Sequence, residues 1–448
     1  MIAFSALGRQ TFSSLSNRNY RRYFTGQAIS LVGTWMQTVG QSWLVLQLTG
    51  SGAALGTVVA AQTLPVLLLG PYGGVVADRV DKRRLMIMLQ TMMGVLALVL
   101  GILTMTHEVT VWQVYVLAFL LGLNNCFENP ARQAFVLEMV GPDELRNAIS
   151  LNSVLVNAAR AVGPAVAGVI IAVSGVGVCF LLNAVSFVAV VTSLGTLDVS
   201  KLHRAPRTAR APGQIREGLA YVRQTPSLLT PLLMMALIGC LAYEFQVVLP
   251  LVARDAFGGS PEVYGFMTAS MGAGAVLGGL YIAARGRTGI RSVVSSAAQF
   301  AVVIAAAAVA PNLWTELIAL VLVGAVSVGF LSKGNSTLQL EASPTMRGRV
   351  MALWSVAFLG STPIGGPIAG WVGEQFGGRA GLALGATACL LAAGLGVLAL
   401  KRGEKDPPLP RCEEGLLRHT KLPRSPPALA LHEQTCTSPR CPRGRAPW

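Results

Sequence analysis

The chain has 448 residues, 53% of them hydrophobic and only 12% charged, with a formal net charge of +15; soluble domains carry roughly 25% charged residues. So few polar side chains cannot coat the two or three soluble domains that this length would otherwise form, so lipid must cover much of the molecule. The basic excess is no nucleic-acid footprint: Lys and Arg fall in short clusters between apolar runs, and ten of the 35 lie in the last 48 residues.

The N-terminal stretch MIAFSALGRQTFSSLSNRNYRRYF has neither a continuous apolar core nor a small-residue cleavage site, which predicts that the first span is retained. Crossing a bilayer takes about 20 mostly apolar helical residues. Twelve segments qualify: 22–46, 53–76, 85–106, 111–138, 148–173, 176–197, 228–252, 262–284, 290–310, 313–338, 349–373 and 378–400. The loops between them alternate in charge. One side holds Arg18, Arg21, Arg22, Arg79, Lys82, Arg83, Arg84, Arg146, the run from Lys201 to Arg223, Arg285, Arg287, Arg291, Arg347, Arg349, Lys401 and Arg402, and the other only Arg254 and Arg379. By the positive-inside rule both termini are expected in the cytoplasm, with the chain in the cell membrane.

The longest internal break divides the spans six and six, predicting halves at 1–197 and 228–400 joined by a cytoplasmic linker, 198–227. Within that linker IREGLAYVRQT has apolar residues at helical spacing; a surface-lying amphipathic helix and a plain solvated one both fit. RAVGPAVAGVIIAVSG from Arg160 matches TPIGGPIAGWVGEQFG from Thr362 at a shift of 202 residues, aligning Gly163 with Gly365, Gly168 with Gly370 and Gly175 with Gly377, as a duplicated six-helix unit predicts. From Lys401 the chain turns basic and proline-rich without apolar period, which predicts a disordered cytoplasmic tail over 401–448. The seven cysteines have neither paired nor metal-ligand spacing, the four histidines all lie in loops, linker or tail, and no phosphate-binding Walker loop occurs. No disulfide, metal, cofactor or enzymatic activity is therefore expected.

The segment GGVVADRVDKRR between the second and third spans resembles the signature loop of the major facilitator superfamily, G-x-x-x-D-R-x-G-R-R. It is matched by Gly74, Asp78, Arg79, Lys82 and Arg83, with Asp81 in place of the second glycine. NPARQAFVLEMVGPDELRNAISLNSVLVNAARAVGPAVAG, residues 129–168, is similar to the enterobactin exporter and drug:proton antiporter branch called transmembrane secretion effectors. The resemblance implies an all-α fold of twelve helices in two pseudo-symmetric halves, working as a proton-coupled exporter of small amphipathic or siderophore-like compounds. Uptake by the same fold, or a membrane scaffold or sensor, are the alternatives. No nucleic-acid partner is expected, and the chain is expected to act as a monomer.

Several residues stand out against that frame. Asp78 is a candidate latch onto the N-terminal end of another helix, which the resemblance implies is the eleventh span, with Arg79 and Arg83 expected to pair with an acid such as Glu138; Lys82 and Arg84 read as topology signals. Gly163, Pro164 and Gly168 form an antiporter-like motif, expected to pack a bent helix tightly on the opposite half. Ionisable residues inside spans are costly and are functional candidates by default. Glu128 is expected to pair with Arg160 across helices, in competition with Arg132 four residues along, and to carry the proton; Glu244 is the second proton candidate. Gln37 and Gln41 share one face and are expected to line a cavity with Trp35 and Tyr243, and Trp43 reads as an interfacial anchor.

Overall fold

A computed structural model describes residues 12–203, 214–285 and 288–405, apart from the side chains of residues 71, 74, 75, 77, 78, 214–216, 285 and 403–405. Met1–Arg402 form one compact unit and Gly403–Trp448 a second, of which 406–448 lie outside the described residues. The described chain is helical, with two short 3-10 turns and no strand. In chain order the helices are α1 (Arg18–Thr49), α2 (Gly52–Arg79), α3 (Lys82–Met105), α4 (Val111–Ser174), α5 (Val176–Gly195), α6 (Gln214–Gln224), α7 (Pro226–Leu241), α8 (Phe245–Phe257), α9 (Pro261–Arg285), α10 (Ile290–Ala308), α11 (Leu313–Glu341), α12 (Arg347–Leu359), α13 (Thr362–Phe376) and α14 (Gly378–Lys405).

Helix ends follow local chemistry. Asn17 accepts from the amides of Asn19 and Tyr20 to start α1, Ser51 accepts from Ala54 to start α2, and Asp81 accepts from Arg84 to start α3. That gives Asp81, where the signature loop has glycine, a structural use of its own. The 64 residues of α4 would reach about 96 Å if straight, three times the bilayer core. They fold in two at Gly141, whose φ of 75° glycine alone adopts without strain, followed by Pro142, which has no amide to bond.

Nine helical stretches among the described residues are long and apolar enough to cross a membrane, with α4 counted once and α7–α8 counted as one. Three of the expected spans differ from simple rods. The seventh breaks between Leu241 and Phe245, the eleventh at Gly360–Ser361, and the last runs on to Lys405, so the tail begins later than its composition suggests. α3 and α1 pack on α5, and α2 on the first part of α4; α9 and α10 pack on α11, and α12 on α7. The two most extensive contacts between the parts before and after the linker are α2 with α13 and α4 with α9; α8 also meets α1 and α2, with smaller contacts of α12 on α2 and α9 on α1. Large apolar side chains such as Val173, Leu280, Trp314 and Phe376 face outward, a surface for lipid rather than water. Trp43, expected at an interface, is instead buried and stacked on Tyr264, since α1 lies inside the bundle there.

Candidate functional site

At the end of the bundle carrying the basic loops, Lys82 reaches Glu138 at 2.7 Å, both side chains nearly buried. This corrects the expected pairing with Arg79 and Arg83. Arg83 instead donates to the carbonyls of Leu194 and Gly195, capping the C-terminal end of α5 where free carbonyls favour a cation. Arg79 sits exposed in the last turn of α2. Asp78 is the next-to-last residue of α2 and Gly74 lies five residues before its end; the Asp78 side chain and the surroundings of Gly74 are outside what the structure describes.

Within the first half, Glu128 does not pair with Arg160. Its Oε1 lies 3.1 Å from Nε of Arg132, one turn along α4, and accepts from Nε2 of Gln90 on α3 at 3.2 Å. At Nε the contact is an ion pair without a hydrogen bond, and the guanidinium also donates to Asn129. The i,i+4 neighbour wins because it shares a helix face with Glu128 at no further ordering cost, and Pro130 between them does not prevent it. Arg160 stands apart, its guanidinium 4.8 Å over the Trp35 ring and within electrostatic reach of Tyr243.

The four expected cavity residues divide into two groups. Gln37 and Gln41 line a polar pocket with Thr34, Gln62, Asn125 and Asn183, and Gln246 enters it from α8. Gln37 accepts from Asn183 at 2.6 Å. Trp35 and Tyr243 belong with Arg160, and Tyr243 joins Phe245, Phe300 and Phe358 in an aromatic cluster.

Glu244 occupies the break between α7 and α8, where it is 3% exposed. Its Oε1 is buried with no partner, while the carboxyl reaches the Thr362 side chain and approaches Gly366. The break at Gly360–Ser361 lies against the same region, since Gly239 of α7 abuts Ser361 and Ala357. Two discontinuous helices thus bring loosened backbone and one carboxyl to a common point, an arrangement that suits ion and substrate sites in membrane proteins.

The duplicated glycines occupy equivalent places. Gly163 packs against Trp35 and Val32 of α1, and its counterpart Gly365 against Cys240 of α7; Gly168 packs against Gly265 of α9, and Gly370 against Gly52 of α2. Gly163 therefore serves its own half, whereas Pro164 and Gly168 meet the other: a Cβ on Gly265 would lie 2.6 Å from the Pro164 carbonyl. In α4 only Gly141 leaves helical geometry, so Pro164 introduces no comparable break.

Sequence inspection missed several groups. At the end opposite the basic loops, Glu374 of α13 accepts from the Ser51 hydroxyl at 2.6 Å and the Ala53 amide at 3.0 Å, at the N-terminus of α2. Arg254 of α8 donates to the Gly50 carbonyl, just beyond α1. These bonds hold the Glu374 carboxyl below the usual range, the Ser51 hydroxyl contributing most. Glu316, near the start of α11, is fully buried with both oxygens unpartnered, and Arg379 lies within its electrostatic reach. No signal in the sequence distinguishes these polar residues from solvated loop ends. Among the described residues no cluster of His, Cys, Asp or Glu is placed to hold a metal, and Cys126, Cys179, Cys240 and Cys389 are free thiols.

Residues 9–426 match the family described as transmembrane secretion effector. The chain belongs to that family. The transmembrane secretion effector match agrees with the resemblance to the major facilitator superfamily carried by the signature loop. The chain is 26% identical over 265 residues to the Staphyloferrin A transporter of Staphylococcus aureus, covering 58% of this chain and 66% of that protein, just under two thirds of its length. It is 25% identical over 350 residues to Macrolide efflux protein A of Streptococcus pyogenes, covering 76% of this chain and 86% of that one. In fold it superposes on the POT family transporter PepTSo with a TM-score of 0.71, covering 87% of this chain and 99% of that chain at 14% identity. The fold is that of multi-pass major facilitator transporters.

Proposed function

We propose that this chain is a twelve-span secondary transporter that exports small amphipathic compounds in exchange for protons, as a monomer in the cell membrane. Its halves, 1–197 and 228–400, would alternate access around the linker 198–227, with the basic loops and both termini in the cytoplasm and the residues after Lys405 as a tail. Counting both parts of α4, the polar α1 and the broken α12–α13 pair alongside the nine apolar stretches supports twelve crossings. The names of the relatives, one a transporter and one an efflux protein, support small-molecule export.

The observation that carries proton coupling is Glu244. A carboxyl buried in a helix break beside the other half, without a cation to neutralise it, remains there only by taking up a proton. Movement of the halves that wets the break would release it. Glu128, held by Arg132 and Gln90, is the secondary charge of this relay and serves mainly to hold α3 to α4. Asp78 supplies the latch at the cytoplasmic end, and Glu374 with Arg254 its counterpart outside.

Purified protein in proteoliposomes, with a pH gradient imposed across the membrane, tests this. A gradient should drive accumulation of an amphipathic compound, and Glu244→Gln should abolish that drive while the variant folds and inserts normally. Accumulation that ignores the gradient, or a Glu244→Gln protein coupled as well as wild type, would defeat the proton-exchange reading.

A further inference from the structure

We propose that Arg160 binds the acidic group of the substrate, so that this transporter takes amphipathic anions carrying a carboxylate on an apolar or aromatic body. The proposal rests on the transport reading above and names its substrate class. Arg160 lies well inside the second part of α4, fourteen residues before its end at Ser174, and its backbone is fixed against Gly272 of α9. A guanidinium at such depth ordinarily pairs with an acid. Here the two acids that might serve are turned elsewhere: Glu128 to Arg132 and Gln90, and Glu244 to Thr362. Among the described residues no acceptor lies against the Arg160 guanidinium, and its Nε is buried without a partner.

The stacking on Trp35 decides what the group offers. With Cζ 4.8 Å from the ring centroid, one π face of the guanidinium is covered. Its N–H donors lie in the plane of the group, at its edges, and stay available for the two oxygens of a carboxylate. In a water-poor site, such a charge-assisted bidentate pair offsets the cost of keeping both donors and charge out of water.

What faces Arg160 is apolar. Tyr243 is within its electrostatic reach, but the Tyr243 hydroxyl donates to the Ser327 carbonyl at 2.8 Å and so has no proton left to give an anion. That bond holds the ring in a wall with Phe358 and Phe300, at centroid distances of 5.2 and 5.4 Å. Trp35, Arg160 and Tyr243 each keep part of their surface exposed. One half thus supplies a charge and the other an aromatic surface, and a ligand with both features spans the two.

The test is equilibrium dialysis of the full chain in detergent against 2-naphthoate, 2-naphthamide and 2-naphthylmethylammonium, which share one apolar body. Wild type should bind naphthoate at least about 10-fold more tightly than the amide, a difference of about 1.4 kcal/mol, with the ammonium weakest. Arg160→Lys should keep part of that preference, and Arg160→Gln should lose it while binding the amide as before. Naphthoate and naphthamide binding equally to wild type, no naphthoate binding at all, or a preference that survives Arg160→Gln would each overturn the proposal. The wild-type comparison stands even where a variant fails to fold. Dialysis involves no gradient, so the outcomes separate: gradient-driven transport without carboxylate preference removes the anion site alone, and carboxylate preference without transport removes the transport reading alone.

Discussion

Glu128 and Glu244 are both glutamates buried in apolar helices, 6% and 3% exposed, yet they sit in opposite kinds of place. Glu128 lies in an unbroken stretch of helix with an arginine one turn away and an amide donor from the neighbouring helix. Glu244 lies where a helix stops and restarts, with one oxygen unpartnered. The first has a cation on its own helix, and the second has none among its described contacts. The same contrast runs through the halves: α1 and the second part of α4 are continuous, whereas their counterparts in the duplicated unit, α7–α8 and α12–α13, are both broken. Helices related by the 202-residue sequence shift thus share their glycine packing and differ in continuity.

The contrast is most directly broken at the two carboxyls. Glu244→Gln removes the titrating group while its amide can still meet Thr362, so gradient-driven transport should fall to the background of protein-free vesicles while thermal stability stays near wild type. Glu128→Gln should do the reverse. It strands the Arg132 charge in a buried site and should cost about 3 kcal/mol of stability, with Arg132→Gln in the same chain restoring much of the loss. Unfolding measured across this double-mutant cycle checks the claim; a stable Glu128→Gln single variant would erase the distinction between a structural and a titrating carboxyl.

The shared packing makes a symmetric prediction. Gly56 of α2 sits against Gly366 of α13, and Gly265 of α9 against Pro164 and Gly168 of α4, backbone on backbone in both places. Valine at either position has no side chain to push aside and must part the helices, at about 2 kcal/mol. Thermal unfolding of Gly56→Val and Gly265→Val should show comparable losses. Loss at only one of them would mean that the duplicated contacts are no longer equivalent.

The lengths of apolar runs and the alternation of basic loops made the bundle legible, and the glycine spacing at a shift of 202 residues made the paired interhelical contacts legible. Partner choice was not legible. Rise per residue places Glu128 and Arg160 at similar depths, but depth says nothing of direction around the helix axis, where each residue turns by about 100°. Lys82 and Arg83 adjoin in sequence and so point to different neighbours, one to Glu138 and the other to the end of α5. The break at Tyr243 was hidden because Ala242–Glu244 holds neither Gly nor Pro; the one at Ser361 carries a stop-and-start pattern, Gly360-Ser361-Thr362-Pro363, that the long apolar run around it masked. Gln90 reads as an ordinary polar residue until the helix beside it is known.

The smallest effect belongs to the end opposite the basic loops, where Glu374 bonds the first turn of α2. Its carboxyl is held below the usual range, the Ser51 hydroxyl first and the Ala53 amide second. A depressed carboxyl contributes stability that is complete above the ordinary carboxylate range and lost as pH falls through the depressed value, so acid should loosen this contact and neutral pH should hold it. Glu374 is exposed, and such contacts are worth less than about 1 kcal/mol, or under about 5-fold in an opening equilibrium. Hydrogen exchange over residues 50–56 at neutral pH, corrected for intrinsic rates, should therefore run a few-fold faster in Glu374→Gln than in wild type. On acidification the wild-type rate should converge on the variant's, because protonation removes the same charge. Equal protection at neutral pH would show that the glycine contact beneath, Gly52 on Gly370, holds this end closed without the carboxylate.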